Sequence, residues 1–131
     1  MLTDKRLAKL GDNIVNLLYS LVKSKLVGKP DGAKVPDTVL AEAIRKAGLR
    51  KYVSTRQNAD SLGDAAEALI AYSWLKDYFK IKETAGRLAA LMPRGKKLNR
   101  KTEKEVSIQI FTYLLQNLSE RIEKENNRNN K

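Results

Sequence analysis

Apolar positions recur at helical spacing in several stretches of the chain, and no stretch of any length alternates as a strand does. Leu7, Leu10, Ile14, Leu17, Leu18 and Leu21 form one stripe, which predicts a helix from Thr3 to Leu26 capped by Thr3 or Asp4. Gly28-Lys29-Pro30-Asp31-Gly32 then breaks the helix and makes a turn. A second helix is expected from Pro36-Asp37-Thr38, burying Val39, Leu40, Ala43, Ile44 and Ala47, with Gly48 as its terminator. Leu49 to Asp60 lacks a clear period and reads as a loop carrying Arg50, Lys51 and Arg56. A third helix spans Ala59 or Ser61 to Phe79, and a short fourth one runs from Thr84 to Leu91, before Pro93. The last runs from Thr102 to Lys124, with Val106, Ile110, Phe111, Leu114, Leu115, Leu118 and Ile122 inward. The polar residues 126–131 are expected to fray. The chain reads as all-α, one domain over residues 1–125 with a polar tail over 126–131, and without internal repeats.

Two places break the apolar pattern with acids. From Ala65 to Leu75, Glu67 is the only charge on a helix that is apolar or alanine in nearly every direction. Such a helix is buried, and an unpaired buried carboxylate is costly, so Glu67 needs a partner, either a metal ion or a Lys or Arg. Asp64 lies three residues earlier, on the same helical face. Asp64-x-x-Glu67 also has the form of a capping box, which would make both acids structural. Asp12 follows Gly11 on the face opposite the leucine stripe, in line with Lys5, Lys9, Asn16 and Lys23. That face is compatible with plain solvation. Gly11, however, costs up to roughly 1 kcal/mol inside a helix relative to Ala, a cost usually offset by close approach of another backbone. The third helix or a second subunit would make that approach. Tyr72, Trp74, Tyr78 and Phe79 offer faces for stacking bases, but helical spacing marks them first as core or interface.

The formal net charge is +11, an excess that predicts attraction to a polyanion, duplex nucleic acid above all. Arg94, Lys96, Lys97, Arg100, Lys101 and Lys104 are concentrated in one link, a phosphate grip or a solvated connector. With no Cys there is no disulfide or zinc-thiolate site, and with no His the commonest general base is absent. Any catalysis rests on carboxylates, Lys, Tyr, hydroxyls or a metal. Acids gathered on two helices of a basic chain point to a metal-dependent enzyme acting on nucleic acid. No apolar run is long enough to span a bilayer and no signal peptide is evident, so a cytoplasmic protein without membrane association is expected.

Arg6-Leu7-Ala8-Lys9-Leu10-Gly11-Asp12-Asn13-Ile14-Val15-Asn16-Leu17 and Asp64-Ala65-Ala66-Glu67-Ala68-Leu69-Ile70-Ala71-Tyr72 resemble, in order and spacing, the two motifs of the ribonuclease III family. A single domain without a separate double-stranded-RNA-binding domain is expected, as in the minimal, single-domain branch that the sequence resembles, Mini ribonuclease III. That branch has a basic loop resembled by Thr55-Arg56-Gln57-Asn58-Ala59. The resemblance implies an endoribonuclease that cleaves double-stranded RNA, with ribosomal RNA processing as one setting. It implies a homodimer with two acidic sites along a groove for A-form RNA, read through phosphates and 2′-hydroxyls. Asp12, Asp64 and Glu67 become the metal-holding and water-activating residues, with Mg2+ as cofactor and Mn2+ as a substitute. Lys9, Arg50, Lys51, Arg56, Lys96 and Lys97 become the RNA-binding residues. The chain departs from the family pattern at Ala8, Lys5 and Asn16, where the family carries acids. The departures admit a second expectation, a non-catalytic double-stranded-RNA-binding protein on the same fold.

Overall fold

The computed structural model describes residues 4–53, 59–92 and 98–129. They form α1 (Lys5–Val27), α2 (Asp37–Lys46), a 3₁₀ turn (Arg50–Tyr52), α3 (Ala59–Leu75), α4 (Ile81–Ala90) and α5 (Arg100–Asn129), with no strand among them. The all-α expectation holds. α3 is the central helix, packed by α1, α2 and α5, while α1 also meets α4 and α2 also meets α5. Its sequence explains its place. Leu62, Ala65, Ala66, Ala68, Leu69, Ile70 and Ala71 are buried around its circumference, as a helix without a polar face requires.

The buried face of α1 differs from the leucine stripe. Ala8, Gly11, Ile14, Val15, Leu18, Tyr19 and Val22 are buried, whereas Leu17 is 50% exposed. α1 lies between α3 and α4, and the small side chains of Ala8 and Gly11 admit α3. The buried arc is therefore turned toward the small residues, leaving Leu7, Leu10 and Leu21 partly buried along one edge.

Helix ends follow local hydrogen bonding. Asp4 caps α1, its Oδ1 accepting from the N–H groups of Arg6 (2.9 Å) and Leu7 (3.2 Å). Gly48 ends α2 at φ 76°, with its N–H donating to the Arg45 carbonyl and Leu49 N–H to the Ile44 carbonyl. That is the Schellman arrangement, and Gly48 is its left-handed residue. The same arrangement ends α3 at Leu75 rather than Phe79. Asp77 takes φ 59°, its N–H reaches the Trp74 carbonyl, and Tyr78 N–H reaches the Ser73 carbonyl. Phe79 then turns back into the core. α4 starts at Ile81, three residues before Thr84, which is buried inside the helix rather than capping it. α5 starts at Arg100, where Asn99 and Thr102 exchange side-chain-to-backbone hydrogen bonds of 2.8 and 2.9 Å. It continues to Asn129, past the expected end at Lys124, and the Glu120/Lys124 spacing favours helix there. Arg50–Tyr52 is a 3₁₀ turn within the stretch read as loop.

The segment between α1 and α2 is fastened along α1 by three polar residues four apart. Ser24 Oγ donates to the Asp31 carbonyl and accepts from Asp31 N–H, both at 2.9 Å. Ser20 Oγ donates to the Ala33 carbonyl at 3.2 Å and accepts from Ala33 N–H at 3.0 Å. Asn16 Oδ1 accepts from Val35 N–H at 2.7 Å. This i, i+4, i+8 ladder sets where the chain enters α2. Lys23 adds an ion pair of 3.0 Å to Glu103 on α5 and one of 3.6 Å to Asp31, and Tyr19 OH donates to the same Glu103 oxygen at 3.1 Å. Burial and the charge of Glu103 push the Tyr19 phenol up, so it stays neutral and holds the hydrogen bond.

Candidate active site

Two glycines bring three helices together around one carboxylate. A Cβ on Gly11 would overlap the carbonyl of Glu67 and lie 2.8 Å from its Cα, so the backbone of α1 rests directly on α3 at that residue. The close approach implied by a mid-helix glycine is made within the chain, by α3. On the other side, a Cβ on Gly63 would lie 3.3 Å from Asp37 Cβ and 3.4 Å from the Asp37 carbonyl oxygen, so the first turn of α2 sits on α3. Asp12 follows one glycine and Asp64 the other. Asp64 stands well inside α3, which begins at Ala59, so the capping-box alternative is overturned.

Asp12, Asp37, Asp64 and Glu67 line one open cleft of about 760 Å³ together with Ala8 and Lys5, Lys9 and Lys34. Glu67 is 4% exposed. Burial pushes its carboxyl up to about 8, aided by its hydrogen bond to Asp12 and by the charges of Asp12, Asp37 and Asp64. At neutral pH Glu67 therefore keeps its proton and donates a hydrogen bond to Asp12. Asn16 Nδ2 also donates to Asp12 Oδ1, at 3.3 Å. The Val35 N–H can only donate, which turns Asn16 Oδ1 toward it and leaves the amide nitrogen for Asp12. An acid at position 16, as in the family, has no proton to give Asp12 when ionised.

Among the described residues no three acids converge into a finished coordination sphere. The donor set nonetheless fits a hard divalent cation. It offers hard oxygen donors, and its buried member holds a proton against a second carboxyl where a cation would replace that proton.

The structure brings together the three acids picked out from the sequence and adds Lys9 at their rim. Arg50 and Lys51 are exposed but do not line the cleft. They follow the C-terminal end of α2, whose ten residues carry the chain about 15 Å from Asp37. Arg56, Lys96 and Lys97 lie outside the described residues. Three cleft residues escaped the sequence reading: Asp37, Lys5 and Lys34. Lys5 stands one turn before Lys9 on the Asp12 face, a signal that was available. Asp37 and Lys34 reach the cleft only through the ladder along α1. Trp74 is 37% exposed, while Tyr72 stacks edge-on with Tyr78 at 6.3 Å and the Arg121 guanidinium lies 4.8 Å over the Tyr78 ring. Packing thus occupies Tyr72, Tyr78 and Phe79 as expected, but Tyr78 and Phe79 lie beyond the end of α3 and pack from the turn that follows it rather than by helical spacing. No helix among the described residues is long and apolar enough to cross a membrane.

No curated protein matches the chain significantly. A family model described as Ribonuclease III matches residues 5–124, which include all five helices up to the last turn of α5 and every acid of the cleft. The chain belongs to the ribonuclease III family, whose activity is endonucleolytic cleavage of double-stranded RNA.

Proposed function

We propose that this protein is a divalent-metal-dependent endoribonuclease that cleaves double-stranded RNA as a homodimer. The observation that carries the reading is Glu67, a buried carboxyl opposed by a second carboxyl at the floor of an open, lysine-rimmed cleft. Asp12 and Glu67, with Asp64 one turn before Glu67 on α3, are the residues that would hold the metal. When bound, Mg2+ or Mn2+ supplies Lewis-acid polarisation of a phosphate and eases deprotonation of a water. Asn16 keeps Asp12 oriented. Lys5, Lys9 and Lys34 offset the acids and draw the RNA backbone to the cleft mouth. An RNA duplex, a DNA duplex of the same sequence and single-stranded RNA, each with Mg2+ or with EDTA, test the activity. Cutting of the RNA duplex alone, and only with the metal, supports it. Equal attack on DNA duplexes overturns it. Ala8, buried in the cleft wall where the family carries an acid, favours the second reading of a non-catalytic binder, and RNA duplex bound but intact would establish that reading.

Binding to RNA duplexes is expected to be electrostatic and nearly blind to sequence. With a net charge of +11, log affinity falls steeply and linearly with log salt concentration as counterions leave the phosphates. Fluorescence anisotropy across a salt series measures the slope, and a flat response counts against phosphate recognition.

Pairing of two chains is expected because each carries one acidic cleft and the two strands of a duplex need two. Exposed Trp74 and Leu75 at the end of α3, with Leu17 on α1, supply apolar surface for such an interface. Light scattering should return about twice the 14.8 kDa chain mass. A monomer at micromolar concentration that still cuts both strands in one encounter contradicts the arrangement.

A further inference from the structure

Asp37 belongs to neither family motif, yet two separate features of the fold deliver it to the acidic cleft. The ladder along α1 ends at the hydrogen bond from Val35 N–H to Asn16, two residues before Asp37. Gly63 lets the Asp37 backbone settle on the turn of α3 that carries Asp64. Asp37 then opens α2 as an exposed side chain lining the cleft, with no hydrogen bond or ion pair to another described residue. Ala8 lines the same cleft, is buried, and offers no donor. Among the described residues Glu67 is buried with no Lys or Arg paired to it and with acids as its charged neighbours, so a cation entering the cleft would offset its charge once it ionises.

We infer that Asp37 supplies the carboxylate missing at Ala8, serving with Glu67 and Asp12 as a ligand of the divalent cation. This rests on the metal-dependent reading above. The carboxylate then comes from the first turn of α2 rather than from α1. Asn16 in place of an acid both steadies Asp12 and fixes the approach to Asp37. Exposure leaves the Asp37 side chain free to swing toward a metal when one enters.

Mn2+ affinity measured by electron paramagnetic resonance on the full chain, without RNA, tests this apart from cleavage. The expected result is Mn2+ binding by the wild type, weakened at least about tenfold by Asp37→Asn and by Glu67→Gln. Adding Ala8→Glu to Asp37→Asn should return the affinity toward the wild-type value. Circular dichroism of each variant confirms that it is folded. Wild-type affinity in Asp37→Asn, with loss in Glu67→Gln, removes Asp37 from the ligand set and leaves the metal-dependent reading standing. Absence of Mn2+ binding by the wild type overturns both.

Discussion

Glu67→Gln is expected to lower Mg2+-dependent cleavage of RNA duplexes by about a thousandfold or more while raising the stability of the metal-free protein. The two effects share one cause. Glu67 is buried beside three other acids, and burial first, then Asp12, raises its carboxyl from the usual 4.5 to about 8. Between those values the folded chain binds the proton more tightly than the unfolded chain, so stability falls as pH rises from about 4.5 through 8. Gln keeps the shape and still donates a hydrogen bond to Asp12, but carries no charge to desolvate. Above pH 8 the variant should therefore be more stable than the wild type by roughly 2–4 kcal/mol in EDTA. Below about pH 4.5 the difference should vanish. Urea denaturation across that pH range, with a gel-based cleavage assay at neutral pH, measures both. Normal cleavage by the variant removes Glu67 from the site. A variant less stable than the wild type at pH 8 would mean that Glu67 has a cationic partner.

Gly11→Ala should destabilise the protein by about 3 kcal/mol or more. Helix propensity alone predicts the opposite sign, a gain of roughly 1 kcal/mol, because Ala is the better helix former. Packing decides the outcome. The added methyl meets the carbonyl and Cα of Glu67, which are backbone atoms inside a fully hydrogen-bonded helix and cannot rotate away. α1 must lift from α3 along its most extensive contact, drawing Asp12 away from Glu67 as it does. Thermal melts read the stability loss. Cleavage at a temperature where the variant remains folded should be reduced as well, since the two acids no longer meet. A variant as stable as the wild type would show that α1 and α3 do not touch at this point.

What the sequence disclosed and what it hid follow from the range of the interactions. Gly11 was readable because a glycine inside a strong helical pattern has a cost that only a neighbouring backbone explains. Glu67 was readable because a lone charge on an all-round apolar helix is conspicuous. Both signals are local. Asp37 was not, because its local context is that of a helix start and its second role depends on Asn16 and Gly63, remote in sequence. The end of α3 was missed for a different reason. Asp77 takes the left-handed position that glycine usually marks, and Tyr78 and Phe79 continue the apolar pattern past it. At α4 the hydroxyl of Thr84 imitated a cap while lying buried within the helix. In α1 the six aliphatic residues drew attention from Ala8, whose value to packing is its small size.

Seating the carbonyl of Glu67 against the Cα of Gly11 makes the integrity of the acidic cleft inseparable from that of the molecule. The backbones that carry Asp12 and Glu67 part only if α1 leaves α3, and that movement bares Val15, Leu18 and Val22, all fully buried. Fraying of a loop or swinging of a lid cannot disassemble such a site, because both halves stand mid-helix within the most deeply packed layer. For the metal-dependent dimer proposed above, control would fall to what happens outside this pair of helices: the arrival of metal, the shape of the RNA, and the concentration at which two chains meet.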